Sequence, residues 1–135
     1  MSAKTNKETV RRWILGLWDD MNFGLLTEMA TPDYTYSNPG TGDLGGPACV
    51  DLVKTMHGAF PDLHNTVEDQ IAEGARVVTW GTTRGTHQGA FAGIPATGKS
   101  IAVPWVIITE LRGGKVARDR EIYDSLGLMK QLGAK

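Results

Sequence analysis

The 135-residue sequence has little of several features that would assign a protein to a class. Its single cysteine, Cys49, excludes an internal disulfide and any multi-cysteine metal site. Aromatic residues make up 7% of the chain, and no apolar run approaches the length of about 18 residues that a membrane helix needs. Neither sign of charge dominates, since 14 Lys and Arg residues stand against 15 Asp and Glu residues.

These absences narrow the possible partners. Nucleic acids and anionic membranes are bound by concentrated basic patches, and a net charge of -1 gives no case for such a patch. The segment Met1 to Arg12 enters an amphipathic pattern without the apolar core of a signal peptide. We therefore expect a cytoplasmic protein that binds neither nucleic acid nor membrane. His57, His64 and His87 are not spaced like the ligands of a metal site, so no metal is expected.

The pattern of the chain changes near its middle. Apolar residues recur at helical spacing in residues 10–21 and again from Pro47 to Phe60, where Cys49 is expected as a small buried residue. From residue 63 onward, segments rich in β-branched residues alternate with glycine-containing turns, which is typical of hairpin-connected strands. This order predicts one α+β domain over residues 1–135, with the helices on one face of a curved antiparallel sheet.

The predicted strands and the curvature of the sheet lead to a pocket. Strands are predicted at residues 33–40, 63–74, 75–87, 100–115 and 116–124, with a terminal helix at 125–133. Gly81 and Gly85 lie inside a predicted strand, which favours bulges and strong curvature. A sheet bent around helices encloses a pocket. Charged side chains on the inward face of the last strand would then line this pocket instead of being packed in a core.

That last strand carries the residues best suited to chemistry. Side chains alternate along a strand, so Asp119 and Glu121 share one face. A carboxylate in a mainly apolar pocket is disfavoured in its charged form, which raises its pKa and lets it both take and return a proton. The same carboxylates also fit a cross-strand ion pair with an arginine such as Arg84, which would have no chemical role. The residues alone leave both interpretations open.

Other side chains could complete a binding site. Tyr36 and Asn38 share a face of the first strand and could donate hydrogen bonds to a carbonyl or enolate oxygen, although Asn38 before Pro39 also fits a turn. Arg84 could pair with the carboxylates or bind an acidic substrate. Large apolar side chains could wall a flat hydrophobic ligand or equally form core. These side chains are Trp18, Met56, Phe60, Trp80 and Trp105.

Two segments resemble a known family. The run GTHQGAFAGIPATGKSI, residues 85–101, is similar to GTHxGxFxGIPPTGxxV of the SnoaL-like polyketide cyclases, which lie within the nuclear transport factor 2-like superfamily. The ending GGKVARDREIYDSLGLMKQLG, residues 113–133, is similar to the family's DGKIxExWxxxDxLGLLxQLG. The resemblance extends over nearly the whole chain. It implies a cone-shaped α+β barrel with a deep pocket, often a homodimer through the sheet and usually free of cofactor.

The resemblance also implies roles by position. In the cyclases a single aspartate on the last long strand is the acid/base, and Asp119 falls at that position. A histidine that assists this aspartate in some cyclases is replaced here by Trp105. Epoxide hydrolases of the superfamily share Tyr36, Asn38 and a carboxylate at Glu121, but the rest of their water-activating set is missing from this chain.

We therefore expect a cofactor-independent acid/base enzyme that acts on a hydrophobic carbonyl compound and resembles a polyketide aldol cyclase. Asp119 is expected to move the proton, and Tyr36, Asn38 or Arg84 to stabilise the enolate. Two alternatives remain open. One is an epoxide hydrolase-like or isomerase-like enzyme on the same fold, and the other is a non-catalytic module that binds a small ligand.

Overall fold

The computed structural model describes residues 2–133 and shows a curved six-stranded sheet packed against helices, which confirms the predicted α+β class. We number the elements in chain order. They are α1 (Ala3–Ile14), a π-helical turn (Leu15–Asp19), α2 (Leu25–Glu28), β1 (Ala30–Asn38), β2 (Gly42–Gly45), α3 (Gly46–Ala59), β3 (His64–Glu73), β4 (Arg76–Thr86), β5 (Ser100–Arg112), β6 (Lys115–Tyr123) and α4 (Ser125–Gln131). None of the helices in residues 2–133 is long and apolar enough to cross a membrane.

Helix α1 packs against β3 and β4 through one apolar face. Its residues Val10, Trp13 and Ile14 lie at helical spacing and are fully or almost fully buried. Ser2 accepts a hydrogen bond from the backbone N–H of Thr5 at 3.1 Å. Ser2 is therefore the N-cap of the helix.

The strand order of the sheet is β2-β1-β6-β5-β4-β3. Neighbouring strands are antiparallel except β1 and β6, which are parallel and pair Tyr36 with Asp119. The two edge strands do not pair with each other, so the barrel implied by the family resemblance is corrected to an open, curved sheet. The parallel contact places the first and last long strands side by side.

Strand β2 and the parallel pairing were not predicted from the sequence. Strand β2 begins at Gly42 and ends at Gly45, with Asp43 and Leu44 between them. The segment therefore has none of the β-branched or aromatic residues that favour strands. It forms because it pairs with β1 in antiparallel register, with Tyr36 opposite Leu44. A tertiary contact thus creates this strand where the local sequence gives no signal for it.

A bulge bends β3 where it passes Gly81 of β4, as the glycines in the predicted strand indicate. The register shifts between Val67 and Asp69, directly opposite Gly81 and its neighbour. A Cβ atom at Gly81 would lie 1.9 Å from the backbone oxygen of Thr66 and 2.9 Å from Cζ2 of Trp105. Only glycine therefore allows the bulged strand and the indole ring to approach β4 this closely.

The core consists of two hydrophobic clusters. The larger cluster joins α1 and α3 to the inward faces of β1, β5 and β6, and it includes Cys49, which is fully buried as predicted. The smaller cluster surrounds Phe60 at the end of α3 and is covered by Leu128 of α4. Phe91 and Ile94, in the loop between β4 and β5, pack against this second cluster. Between the two clusters the inward face of the sheet remains open.

Candidate functional site

A cavity lies between helix α3 and the inward face of the sheet. Its volume is about 70 Å³, which is below the range of about 300 to 1,000 Å³ that is usual for ligand pockets. The cavity is therefore a small, narrow slot. Its apolar lining includes Leu52 and Met56 of α3, Val103 and Trp105 of β5, and Leu128 of α4.

The π-helical turn brings Trp18 into this lining. The backbone oxygen of Trp18 accepts a hydrogen bond from Nε2 of His57 at 2.6 Å, which ties the turn to α3. The indole ring of Trp18 packs against the ring of Tyr36 with 5.6 Å between ring centroids. Turns of this kind interrupt the regular helical phase and occur often at functional sites. The helical periodicity of the sequence did not reveal it.

A hydrogen-bonded group of Glu121, Tyr36 and Asn38 forms the polar end of the cavity. The hydroxyl of Tyr36 donates to Oε1 of Glu121 at 2.5 Å, and Nδ2 of Asn38 donates to the Tyr36 oxygen at 3.0 Å. Oδ1 of Asn38 accepts from the backbone N–H groups of Gly40 and Thr41. Asn38 therefore stabilises the turn, as its sequence position suggested, with one end of its amide, and the other end lies at the polar end of the cavity.

The environment of Glu121 tunes its acidity. The pKa of its carboxyl is raised from 4.5 to about 7: burial is the largest cause, the hydrogen bond from Tyr36 opposes it, and the nearby charge of Asp119 adds to it. The side chain nevertheless keeps part of its surface at the cavity. Within residues 2–133 neither Glu121 nor Asp119 forms a salt bridge. The ion-pair interpretation of these carboxylates is therefore wrong for the described part of the chain.

Asp119 lies behind the cavity wall. It is 1% exposed and is not among the residues that line the cavity. Its Oδ2 atom accepts hydrogen bonds from Nε1 of Trp13 and the hydroxyl of Tyr34, both at 2.8 Å, and its Oδ1 atom accepts one from Thr109 at 2.6 Å. Burial raises the pKa of Asp119, and these three hydrogen bonds lower it. The predicted acid/base residue thus has no surface at which a ligand in this cavity could meet it.

Three residues predicted to bind substrate also lie away from the cavity. Trp80 and Arg84 are on the outer face of β4, because Gly81 and Thr83 between them face inward and side chains alternate along a strand. Arg84 is exposed, and its Nη1 lies 3.4 Å from the hydroxyl of Thr66. Phe60 is fully buried in the smaller core cluster, where the end of α3 turns its side chain away from the slot. The predicted residues that do line the cavity are Trp18, Tyr36, Asn38, Met56, Trp105 and Glu121.

A second polar group in the lining was missed by the sequence analysis. Thr83 donates to Oδ1 of Asn65 at 2.5 Å, and Nδ2 of Asn65 donates to Oδ1 of Asp19 at 2.6 Å. The backbone N–H of Asn65 donates to the same carboxylate at 2.8 Å. Thr83 and Asn65 are directly opposite in the β3–β4 register. Alternation along β4 could have placed Thr83 on the inward face, but no motif marks either residue.

The lining contains no Lys, Arg or His side chain. Within residues 2–133 no three His, Cys, Asp or Glu side chains come close enough together to hold a metal ion. The chemistry that the side chains themselves offer is therefore proton transfer by a carboxylate, next to an apolar slot for the ligand.

Comparison with known proteins supports this interpretation of the fold. The model of the SnoaL-like polyketide cyclase family matches residues 8–132. The chain belongs to this family. Among curated proteins there is no match to this SnoaL-like chain.

Solved structures similar to this SnoaL-like protein carry more than one functional name. A candidate SnoaL-like polyketide cyclase from Jannaschia sp. CCS1 shares 27% identity at a TM-score of 0.86, over 98% of this chain and 94% of that one. A candidate polyketide cyclase from Acidithiobacillus ferrooxidans shares 28% identity at a TM-score of 0.85, over 98% of both chains. AclR from Streptomyces galilaeus, a candidate hydroxylase, shares 25% identity at a TM-score of 0.86, over 98% of both chains. The fold therefore does not identify the reaction, which depends on the residues of the site.

Proposed function

We propose that this SnoaL-like protein is a cofactor-independent acid/base enzyme that catalyses an aldol-type cyclisation of a hydrophobic carbonyl compound. The observation that supports this most strongly is Glu121, a carboxylate whose pKa is about 7, held by Tyr36 at the polar end of an apolar slot. A general base works best when its pKa lies near the operating pH, since it must be ionised to accept a proton and acidic enough to return it.

The proposed reaction begins at a carbon next to a carbonyl group. The Glu121 carboxylate accepts a proton from this carbon, and the electron pair of the C–H bond forms an enolate. The enolate carbon attacks a second carbonyl carbon of the same molecule, which forms the new C–C bond and an alkoxide. Protonated Glu121 then returns its proton to the alkoxide. Atoms and electrons balance without an external oxidant, reductant or co-reactant.

The apolar slot would contribute by holding the substrate in a folded shape. Intramolecular attack is fast only when the reacting carbons are already close and aligned. Trp18 and Trp105 present flat surfaces in the lining, and Met56 fills the side formed by α3. A chain laid between these surfaces loses the freedom to extend, so the two carbonyl groups stay near each other.

Asp119 takes a positioning role in this proposal. Its charge raises the pKa of Glu121, and its hydrogen bonds join α1, β1 and β5 through Trp13, Tyr34 and Thr109. The base is therefore assigned to Glu121, two residues along β6 from the aspartate that the family resemblance pointed to.

A pair of conservative variants tests this assignment. In heavy water, an enzyme that abstracts protons next to a carbonyl exchanges them for deuterium, and heptane-2,6-dione can also cyclise by the proposed route. We expect Glu121→Gln to lose both exchange and cyclisation, while Asp119→Asn keeps measurable exchange in the folded fraction. Full activity of Glu121→Gln together with complete loss in Asp119→Asn would return the role to Asp119. A wild-type protein that binds such ketones but exchanges no protons would support a binding module instead.

Epoxide hydrolysis is the second candidate, favoured by the hydrogen-bonded Tyr36, Asn38 and Glu121. These side chains could hold a water molecule for attack on an epoxide carbon. Hydrolysis in water enriched in heavy oxygen would place the label in a diol product, whereas cyclisation incorporates no label. A labelled diol from an aryl epoxide, lost in Glu121→Gln, would favour the hydrolase over the cyclase.

We also propose that the protein forms a homodimer through the outer face of the sheet. Ile71, Val106, Ile108 and Ile122 are 60%, 39%, 37% and 64% exposed there. The strand register makes them neighbours, since Val106 pairs with Ile122 and since Val78 lies between Ile71 and Ile108. Charges of both signs border this patch, so a second copy related by a two-fold axis could match it in both shape and charge.

A further inference from the structure

The cavity wall contains a buried hydrogen-bond donor without an acceptor. Trp105 is 3% exposed, lies in the lining, and has no hydrogen-bond partner for its Nε1 atom among the described residues. His87 and Arg118 each also have a buried side-chain nitrogen without a hydrogen-bond partner among the described residues, but neither residue lines the cavity. A buried N–H that leaves water without gaining an acceptor destabilises the fold and therefore calls for an explanation.

Other donors expected at the site already make hydrogen bonds. The hydroxyl of Tyr36 donates to Glu121, and one of the two N–H groups of the Asn38 amide donates to Tyr36. Arg84, the third residue expected to stabilise an enolate, lies on the outer face of the sheet. The indole N–H of Trp105 is thus a donor in the lining that a ligand can use without breaking an existing hydrogen bond.

The strand register places Trp105 close to the proposed base. Trp105 pairs with Tyr123 across the β5–β6 ladder, and Ile107 pairs with Glu121. Trp105 and Glu121 are therefore diagonal neighbours on the same face, at a backbone spacing of about 7 to 8 Å. A carbonyl group bridges this gap when its oxygen points toward the indole and its neighbouring carbon points toward the carboxylate. The indole ring itself packs over Gly81 of β4.

The charge of the cavity lining further restricts the class of ligand that can bind. No Lys, Arg or His side chain is present to balance an acidic group, and Glu121 becomes negative when it ionises. A substrate carboxylate would therefore be repelled at the moment when the base is active, whereas a neutral ketone would not. The substrate class that fits is an uncharged, flat ketone.

We propose that the indole N–H of Trp105 binds the carbonyl oxygen of a neutral ketone substrate and stabilises the negative charge that forms there when Glu121 removes the neighbouring proton. The inference rests on the proposed function and adds to it the donor for the enolate oxygen and the charge of the substrate. A donor aimed at the atom where charge develops contributes more to the transition state than to the bound substrate.

Binding of matched probes tests the contact without any turnover. The probes are 1-indanone and indane, which share a ring skeleton and differ in the carbonyl group, and affinity is measured by calorimetry. We expect the wild type to bind 1-indanone roughly tenfold more tightly than indane. The variant Trp105→Phe keeps an aromatic ring but lacks the N–H, so it should bind both probes with equal affinity. Trp80→Phe, a change on the outer face, should keep the discrimination and serves as the matched control.

The wild-type protein supplies a second readout that does not depend on how a variant folds. In proton NMR, the indole N–H resonance of Trp105 should move downfield on addition of 1-indanone and stay in place with indane. Retained discrimination in Trp105→Phe, or an unmoved indole resonance when 1-indanone binds, would overturn the proposal. Loss of discrimination in Tyr123→Phe but not in Trp105→Phe would also overturn it, since the donor would then be the other cross-strand partner.

The two proposals can fail separately. Deuterium exchange into 1-indanone should fall about 100-fold in Trp105→Phe, the scale typical for loss of one donor to a developing oxyanion. If Glu121→Gln still exchanges protons while Trp105→Phe loses discrimination between the probes, the base is assigned wrongly but the binding contact stands. If Glu121→Gln is inactive and Trp105→Phe exchanges at the wild-type rate, the acid/base function stands and the role of Trp105 is rejected.

Discussion

The hydroxyl of Tyr36 donates to the carboxylate of Glu121 over 2.5 Å, between residues 85 positions apart on the parallel strands β1 and β6. Burial raises the pKa of Tyr36 far above its ordinary value, and the neighbouring charge of Glu121 adds to this. Tyr36 therefore keeps its proton at every pH at which Glu121 titrates. In the proposed reaction the Glu121 carboxyl carries the proton and Tyr36 is a fixed donor beside it, and the hydrogen bond favours the ionised carboxylate.

Removal of that donor should make Glu121 a weaker acid. Because the hydrogen bond from Tyr36 lowers the pKa of Glu121, the variant Tyr36→Phe should raise this pKa above about 7. Carbon NMR titration of the Glu121 carboxyl measures the shift directly. Tyr34→Phe is the matched control, since Tyr34 donates to Asp119 instead. An unchanged or lower pKa in Tyr36→Phe would contradict the role given to this hydrogen bond.

The rate of proton abstraction should depend on pH in the same range. Glu121 acts as a base only when ionised, so kcat/KM for deuterium exchange should rise with pH and reach half of its maximum near pH 7. A profile with its midpoint near the ordinary glutamate value of 4.5 would show that the carboxyl is not shifted in the free enzyme. The variant Glu121→Gln should show no such rise.

Stability should fall as the pH rises through the same interval. The pKa of Glu121 is higher in the folded protein than in the unfolded chain, so the folded state binds more protons between pH 4.5 and about 7. The free energy of unfolding should therefore decrease across this interval, by at most about 3 kcal/mol. Urea unfolding at a series of pH values measures it. The decrease should be smaller in Glu121→Gln, where the remaining slope comes from Asp119, and an equal slope in both proteins would be the contrary result.

Gly81→Ala should destabilise the protein. The new Cβ would meet the Thr66 backbone oxygen at 1.9 Å and the Trp105 ring at 2.9 Å, so β3 and the indole must both move. Overpacking of this kind costs about 1 to 3 kcal/mol, measured by denaturant unfolding. Gly58→Ala is the control, because a Cβ there meets nothing within 4 Å and alanine favours the helix. Equal stability of the two variants would show that β4 has room to shift.

Ile122→Lys should separate the proposed homodimer. Ile122 is 64% exposed on the β6 side of the apolar patch, opposite Val106. A lysine there would bury its charge against the second copy, whereas in the monomer it would remain in water. Sedimentation analysis should show a dimer for the wild type and a monomer for the variant. The control variant is Lys4→Ala, on the exposed surface of α1, and it should remain dimeric. A wild-type protein that is monomeric at all concentrations would contradict the proposed homodimer.

The sequence predicted the sheet better than it predicted the depth of the site. Alternation correctly placed Asp119 and Glu121 on the same face of β6, because a period of two is a property of any strand. It could not show that Trp13 of α1 and Tyr34 of β1 close over Asp119, while Glu121 still reaches the cavity. Which carboxylate a ligand can touch is decided by packing between elements far apart in the chain.

The same reason explains the residues that were misplaced. Trp80 was a reasonable candidate for the pocket by its size, yet its position in β4 puts it on the outer face, where an apolar patch takes the place of a core. Trp18 does line the cavity, but it does so from a π-helical turn that no local pattern predicts. Strand β2 exists because β1 offers it a partner. In each case a tertiary contact overrides or supplements the local preference.

The position of β1 in the sheet has a consequence for the order of assembly. Strands β3, β4 and β5 are joined by consecutive hairpins and can pair as soon as they leave the ribosome, but β1 meets the rest of the sheet only through β6. Tyr36 therefore contacts Glu121 only after almost the entire chain has been translated. The proposed proton transfer would therefore be possible only at the end of biosynthesis, and nascent fragments that stop short of β6 would lack it.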